Sequence, residues 1–184
     1  MAIYSDNFNR ADSTTVGANW TEVADDWSIK SDALAPGLTT TGVILYNQPL
    51  DTADHYAEIA MSVASTTSMG VFARSDLAGN NFYLLRSNGT SWNLFTNISG
   101  TFTSIGSYAA TLANGDVARI QCVGSIIKAF INGVERISVT NAAITTGTYT
   151  GIRSTQSSTA RYDNFTASDV GALYSNDGGF FDFI

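Results

Sequence analysis

Apolar residues recur along this chain with a period of two, not 3.6. Between residues 55 and 63, Ala57, Ile59, Met61 and Val63 alternate with Tyr56, Glu58, Ala60 and Ser62, the pattern of a half-buried strand. Gly70-Val71-Phe72-Ala73-Arg74 is a short apolar run. Asn81 to Arg86 and Trp92 to Phe95 flank the turn Ser87-Asn88-Gly89-Thr90, which predicts a hairpin with a primed turn. Asp116 to Val123, Ile126 to Ile131 and Val134 to Val139 are separated by Gly124-Ser125 and Asn132-Gly133. They predict three consecutive antiparallel strands. Further strands are expected at 4–8, 27–30, 42–46, 149–153 and 160–167, and at most one helical turn within 47–54. About a dozen short strands spaced by Gly, Asn, Ser and Thr predict an all-β, two-sheet antiparallel jelly-roll sandwich over residues 1–168, with an extended tail at 169–184.

The tail breaks the pattern. A Gly178-Gly179 pair precedes Phe180, Phe181, Phe183 and Ile184, with Tyr174 upstream. An exposed apolar end is costly in water unless covered. It either folds back on its own sandwich or docks on a neighbouring subunit, so these five residues are the candidate partner-binding set.

Composition narrows the function classes. The chain has 184 residues, 44% of them hydrophobic, enough for one sandwich core. Only 14% are charged, against about 25% in an average domain. The net charge of −7 and the lack of a basic cluster argue against nucleic acid and against an anionic membrane as partners. The single cysteine, Cys122, excludes an internal disulfide and falls in an apolar run as a small core residue. The start Met-Ala-Ile-Tyr-Ser-Asp has no signal-peptide pattern, so synthesis in a cytoplasm without general export is expected.

Catalytic patterns are missing. The three glutamates, Glu22, Glu58 and Glu135, do not form a one-strand carboxylate set, and Glu58 has no acid two or four residues away. The only histidine, His55, is expected at a surface or edge, and there is no Gly-x-Ser-x-Gly elbow for a triad. No enzyme and no obligatory cofactor are expected. Trp20, Tyr108 and Tyr149, with Trp92, are available as aromatic platforms for a sugar, though each also sits where a core residue belongs. Arg74 and Arg86 are expected at sheet rims, paired with acids such as Asp76. Asp-Asn-Phe occurs at 6–8 and again at 163–165. If the first and last strands lie side by side, both Phe side chains enter one core layer. Tyr83, Trp92 and Phe95 are expected between the sheets.

Several stretches carry a family resemblance. Asp6-Asn7-Phe8-Asn9-Arg10-Ala11-Asp12 with Val16-Gly17-Ala18-Asn19-Trp20 resembles the start of concanavalin A-like, laminin-G-like jelly-roll modules. Gly70 to Arg74, Phe82-Tyr83-Leu84, Trp92-Asn93-Leu94, Gly115 to Ile120, Ile131 to Val134 and Ala160 to Phe165 are similar to the same modules, over roughly residues 3–168. Stand-alone chains of this style resemble structural proteins of tailed-bacteriophage virions. The resemblance implies a non-enzymatic virion protein, a capsid decoration or tail-associated component meeting capsid or tail subunits, and a homo-oligomer such as a trimer. The alternative it implies is a carbohydrate-binding module for a cell-surface glycan. Laminin-G-like relatives often hold Ca²⁺ between loops, which makes Asp25, Asp26, Asp6 and Asp163 the metal candidates. Asp25-Asp26 is either a half-site or a turn with solvated charges.

Overall fold

The strand His55–Val63 shows how the alternation becomes architecture. In the computed structural model, which describes residues 1–171, Ala57, Ile59 and Met61 are fully buried while Tyr56, Glu58 and Ala60 on the other face are half-buried. The described residues form fifteen strands and no helix: β1 (Ile3–Asp6), β2 (Trp20–Ala24), β3 (Ser28–Ile29), β4 (Leu34–Ala35), β5 (Gly42–Tyr46), β6 (His55–Val63), β7 (Met69–Ser75), β8 (Asn81–Ser87), β9 (Trp92–Ile98), β10 (Thr101–Tyr108), β11 (Asp116–Val123), β12 (Ile126–Ile131), β13 (Val134–Thr140), β14 (Tyr149–Ser154) and β15 (Arg161–Asp169). One sheet runs β13-β12-β11-β6-β15-β4-β3, with β1 also on β15; the other runs β10-β9-β8-β7-β14-β5-β2. All pairings are antiparallel, and the two sheets enclose one large apolar core. The jelly-roll expectation holds.

The turns follow their chemistry. Asn132 and Gly133 take φ of 53° and 76°, the two positive values a type I′ hairpin needs, and Ile131 pairs with Val134 across them. The hairpin between β8 and β9 forms, but its connection is a four-residue loop and not a two-residue primed turn. There the Asn88 side chain accepts hydrogen bonds from the Thr90 and Ser91 amides at 3.1 and 2.9 Å. Residues 47–54 contain no helical turn.

The repeated Asp-Asn-Phe has the predicted outcome. β1 lies antiparallel to β15, with Asp6 opposite Phe165. Phe8 and Phe165 are both fully buried, and the Trp20 ring stands between them, 5.5 Å from Phe8 and 4.9 Å from Phe165. Tyr46 packs on Phe165 at 5.7 Å. The opening and closing segments are thereby locked into one aromatic layer.

Tyr83 and Trp92 lie in the core as expected, but Phe95 does not. Trp92 and Phe95 are three residues apart, so strict alternation puts them on opposite faces. Phe95 joins Leu45, Phe72, Phe82 and Leu84 in a second apolar cluster on the outer side of the seven-stranded sheet.

Candidate functional site

That outer face is unusual. An antiparallel sheet with one face on the core ordinarily turns a polar face to water. Here Phe72, Phe82 and Leu84 are at most 1% exposed on the side away from the main core. Consecutive apolar residues in Phe82-Tyr83-Leu84-Leu85 produce both layers: Tyr83 and Leu85 point inward, Phe82 and Leu84 outward. Phe72 and Phe82 stack at 4.6 Å, and Phe102 meets Phe82 and Phe95 edge-on at 6.2 Å each.

The face is curled. Arg153 on β14 places its guanidinium carbon 4.6 Å from the centre of the Phe102 ring on β10, four positions away in the sheet order. A flat sheet would hold those strands roughly 19 Å apart, beyond the combined reach of the two side chains. The outer face is therefore a shallow trough whose floor is closed over where Phe102 of β10 and Arg153 of β14 meet across it. Phe72, Phe82 and Leu84 form its floor. Phe95, Phe102, Tyr149 and the two arginines Arg86 and Arg153 form its partly exposed upper layer. Gly151 makes room on the floor, since a Cβ there would lie 2.4 Å from Phe72 Cζ and 2.1 Å from the Ile44 carbonyl oxygen.

Of the candidate sugar platforms, the trough contains only Tyr149. Trp20 is 7% exposed in the core, and its indole N–H donates to Asp6 at 2.9 Å. Trp92 is fully buried between the sheets. Tyr108 leans on the main core beneath Arg136, whose guanidinium sits 4.9 Å from the ring centre. Phe95 and Phe102 had to be found from the structure, although the odd spacing from Trp92 to Phe95 is a sequence signal for an outward ring. Tyr174, Phe180, Phe181, Phe183 and Ile184 lie outside the described residues.

The four metal candidates are not brought together. Asp6 is filled by Arg10, which donates to its two oxygens at 2.8 and 3.1 Å, and by Trp20 and the Phe8 amide. Burial pushes the Asp6 carboxyl up, but these donors outweigh it and hold it below its ordinary value. It lines an open cleft of about 640 Å³ with Asn19 and Asn164. Asp25 is folded over Gly37 and accepts from the Thr39 hydroxyl and the Thr40 amide. Asp163, raised by burial first and then by Asp6 and Asp32 despite the Asn164 amide, borders a separate hollow with Asp32 and Arg161. Among the described residues no three His, Cys, Asp or Glu side chains gather as a metal-binding group. Asp25 and Asp26 border one hollow, Asp6 lines the cleft and Asp163 a third site, so the four do not converge on a single ion position.

The glutamates stand on different strands, each with its own partner. Glu22 accepts the Trp27 amide at 3.1 Å, Glu58 binds Arg119 at 2.8 Å, and Glu135 binds Lys128 at 2.8 Å.

Two placements correct the sequence reading. His55 is fully buried, not at a surface or edge. Its Nδ1 faces the Thr52 carbonyl at 2.8 Å, and its Nε2 accepts the Arg74 backbone N–H at 2.9 Å. Arg74 is 1% exposed and pairs with Asp54, not Asp76. Arg86 is half-buried and forms no ion pair among the described residues. Cys122 is buried as expected, its thiol pushed up to about 12 by burial.

Burial lowers the His55 pKa from 6.5 to about 4, against the raising effect of the Thr52 carbonyl. The folded protein thus keeps the ring neutral at pH values where the unfolded chain protonates it. Stability is full above pH 6.5 and falls by about 3 kcal/mol as pH drops to 4, with no further loss from this group below that. Urea midpoints from pH 7 to pH 4.5 check this. His55→Gln should lose most of that slope, and an unaltered slope would contradict the assignment.

No protein-family model matches the chain, and no curated protein matches it in sequence. Solved structures do resemble it. The carbohydrate-binding module CBM66 from Bacillus subtilis has a TM-score of 0.68 at 16% identity, over 83% of this chain and 93% of that one. The VIP36 exoplasmic/lumenal domain bound to Ca²⁺ and Man3GlcNAc has a TM-score of 0.64 at 13% identity, over 86% of each chain. A prokaryotic beta-1,3-1,4-glucanase (lichenase) derived from a mouse hindgut metagenome has a TM-score of 0.64 at 9% identity, over 92% of this chain and 100% of that one. At these identities the likeness is one of fold: the protein has the concanavalin A-like jelly roll. That fold hosts binding modules and glycosidases alike.

Proposed function

We propose that this protein is a carbohydrate-binding module without catalytic activity, and that it holds a glycan in the trough of the seven-stranded sheet. The observation that carries the reading is the second apolar layer outside the main core, topped by the partly exposed rings of Phe95, Phe102 and Tyr149. A sugar ring can lay its C–H face on such rings while its hydroxyls meet polar side chains at the margin, such as Asn93. A few polar groups around an apolar floor are the usual makeup of a ligand site. The structural likeness to CBM66 and to glycan-bound VIP36 supports the reading at the level of the fold. Glycosidase relatives leave catalysis as the competing class, and the separately partnered glutamates argue against it. The virion role implied by the sequence resemblance drew on residues 171–184. The similar solved structures offer no support for it or for capsid, tail or trimer contacts, so glycan binding leads.

The test is a glycan array probed with the full chain in EDTA, followed by affinity measurement on any hit. Binding should survive EDTA, since none of the four candidate aspartates lines the trough. Phe95→Ala and Phe102→Ala should each weaken it by roughly tenfold or more, the scale of removing one aromatic ring from a binding site. Undiminished binding by both variants, or hydrolysis of the bound glycan, would overturn the proposal.

A further inference from the structure

The two arginines of the trough are placed as a pair. Arg86 lies opposite Gly70 on β7, and Gly70 lies opposite Arg153 on β14, so the three share one cross-strand row. Gly70 allows this close packing: a Cβ there would lie 2.8 Å from Arg86 Cβ and 3.0 Å from Leu84 Cδ1, which already fill the space above it. Each guanidinium rests on a ring, Arg86 4.4 Å from the centre of Phe95 and Arg153 4.6 Å from that of Phe102. Those rings are 6.2 Å apart, so both cations belong to one patch.

Neither arginine forms an ion pair or a side-chain hydrogen bond among the described residues, and the Arg86 Nε is buried with no partner. Arg136 is unpaired too among the described residues but exposed, and Arg161 donates to the Ser158 and Ala160 carbonyls. Arg10, Arg74 and Arg119 each hold a carboxylate, at 2.8, 3.1 and 2.8 Å. Burial lowers both trough arginines, and Arg86 lowers Arg153 further by like-charge repulsion. Two part-buried cations side by side, with open donors and no counter-charge among the described residues, are unfavourable alone and complementary to an anion.

We infer that the trough selects a sugar bearing an anionic substituent, held by Arg86 and Arg153 while the ring packs on Phe95 and Phe102. The inference rests on the glycan-binding reading and adds the ligand's charge to it. A carboxylate matches the planar guanidinium fork in a bidentate contact. The net charge of −7 opposes long polyanions, but fields screened within about 8 Å leave the local pair dominant for a single charged residue.

The test uses the full chain and three matched probes: a uronic-acid-terminated oligosaccharide, its carboxyl-reduced neutral twin, and the twin carrying a sulfate ester. The carboxylated probe should bind at least about tenfold tighter than the reduced one, the scale of one charge-assisted hydrogen bond. The sulfated twin separates the two sources of negative charge: binding above the reduced form there, too, extends the site to sulfated sugars. Arg86→Gln and Arg153→Gln should bring the ratio close to one while the far-ultraviolet spectrum stays that of the parent. Arg153→Lys, which keeps the charge, should retain part of the preference. Equal binding of carboxylated and reduced probes, still sensitive to Phe95→Ala, overturns the anionic assignment and leaves the glycan site standing. A preference that survives both Gln substitutions overturns the arginine assignment. Failure of all three probes and of the glycan array overturns both readings.

Discussion

Replacing Arg74 with alanine is expected to cost about 3–5 kcal/mol of folding stability, the combined scale of a large vacated side chain and carbonyls left without their donor. Its Nε donates to the Ala53 carbonyl at 3.0 Å, and one terminal nitrogen reaches the Gly124 and Ile144 carbonyls at 2.8 and 3.0 Å. The other terminal nitrogen meets Asp54 at 3.1 Å. Asp54 in turn accepts the Gly124 amide, and the Arg74 backbone N–H holds His55. One side chain thus joins the approach to β6, the β11–β12 turn and the segment before β14. Truncation leaves three carbonyls without their donor, that of Ile144 buried and those of Ala53 and Gly124 partly so. Asp54 is half-exposed and can be rehydrated, so the carbonyls and the vacated volume carry most of the cost. A chain of this length loses roughly 2–4 °C of Tm per kcal/mol, giving about 6–20 °C here. Asp54→Asn keeps an acceptor and should cost under about 1.5 kcal/mol. Urea unfolding of both variants measures the difference. A loss below about 1 kcal/mol for Arg74→Ala would contradict this role.

Phe165→Ala should be comparably severe, about 3–5 kcal/mol. The ring is fully buried between Trp20 and Tyr46, in the layer where the first and last strands of the eight-stranded sheet meet the edge of the other. Its removal opens a cavity at a junction of β1, β2, β5 and β15, where no single element can move in to fill it. Trp20 reports on the site directly, so fluorescence should shift to the red alongside the fall in urea midpoint. Phe8→Ala acts on the same Trp20 ring, and the two losses should be non-additive because they share a neighbour. Additive losses, or a cost under about 1 kcal/mol, would show that the layer is not a unit.

Much of the architecture was legible in the sequence. β6, β11, β12 and β13 announce themselves by period two and by Gly and Asn turns, and the doubled Asp-Asn-Phe foretells the pairing of β1 with β15. The strands that escaped notice are β2 and β10 at the sheet edges and the two-residue β4. Thr21, Glu22 and Val23 on β2 are exposed, as are Thr101, Thr103, Ser104 and Ser107 on β10, so neither strand carries a core-facing alternation strong enough to read. Burial of His55 and Arg74 was not legible because their partners come from distant turns. Arg74 closes on carbonyls at positions 53, 124 and 144, and only the assembled fold shows that these converge. The trough lay half in view. Phe82 to Leu85 is apolar on both faces, a pattern that fits an interior strand equally well. Its meaning as an outer layer depends on the curl that brings β10 over toward β14.

The central claim is that this curled face, and not the end cleft near Asp6, is the ligand site. Backbone amide shifts of the ¹⁵N-labelled chain, followed during titration with the best array glycan, test it most directly. The largest changes should fall at residues 70–72, 84–86, 93–97, 102 and 151–153. Changes confined to residues 5–20 and 164–166 would contradict it.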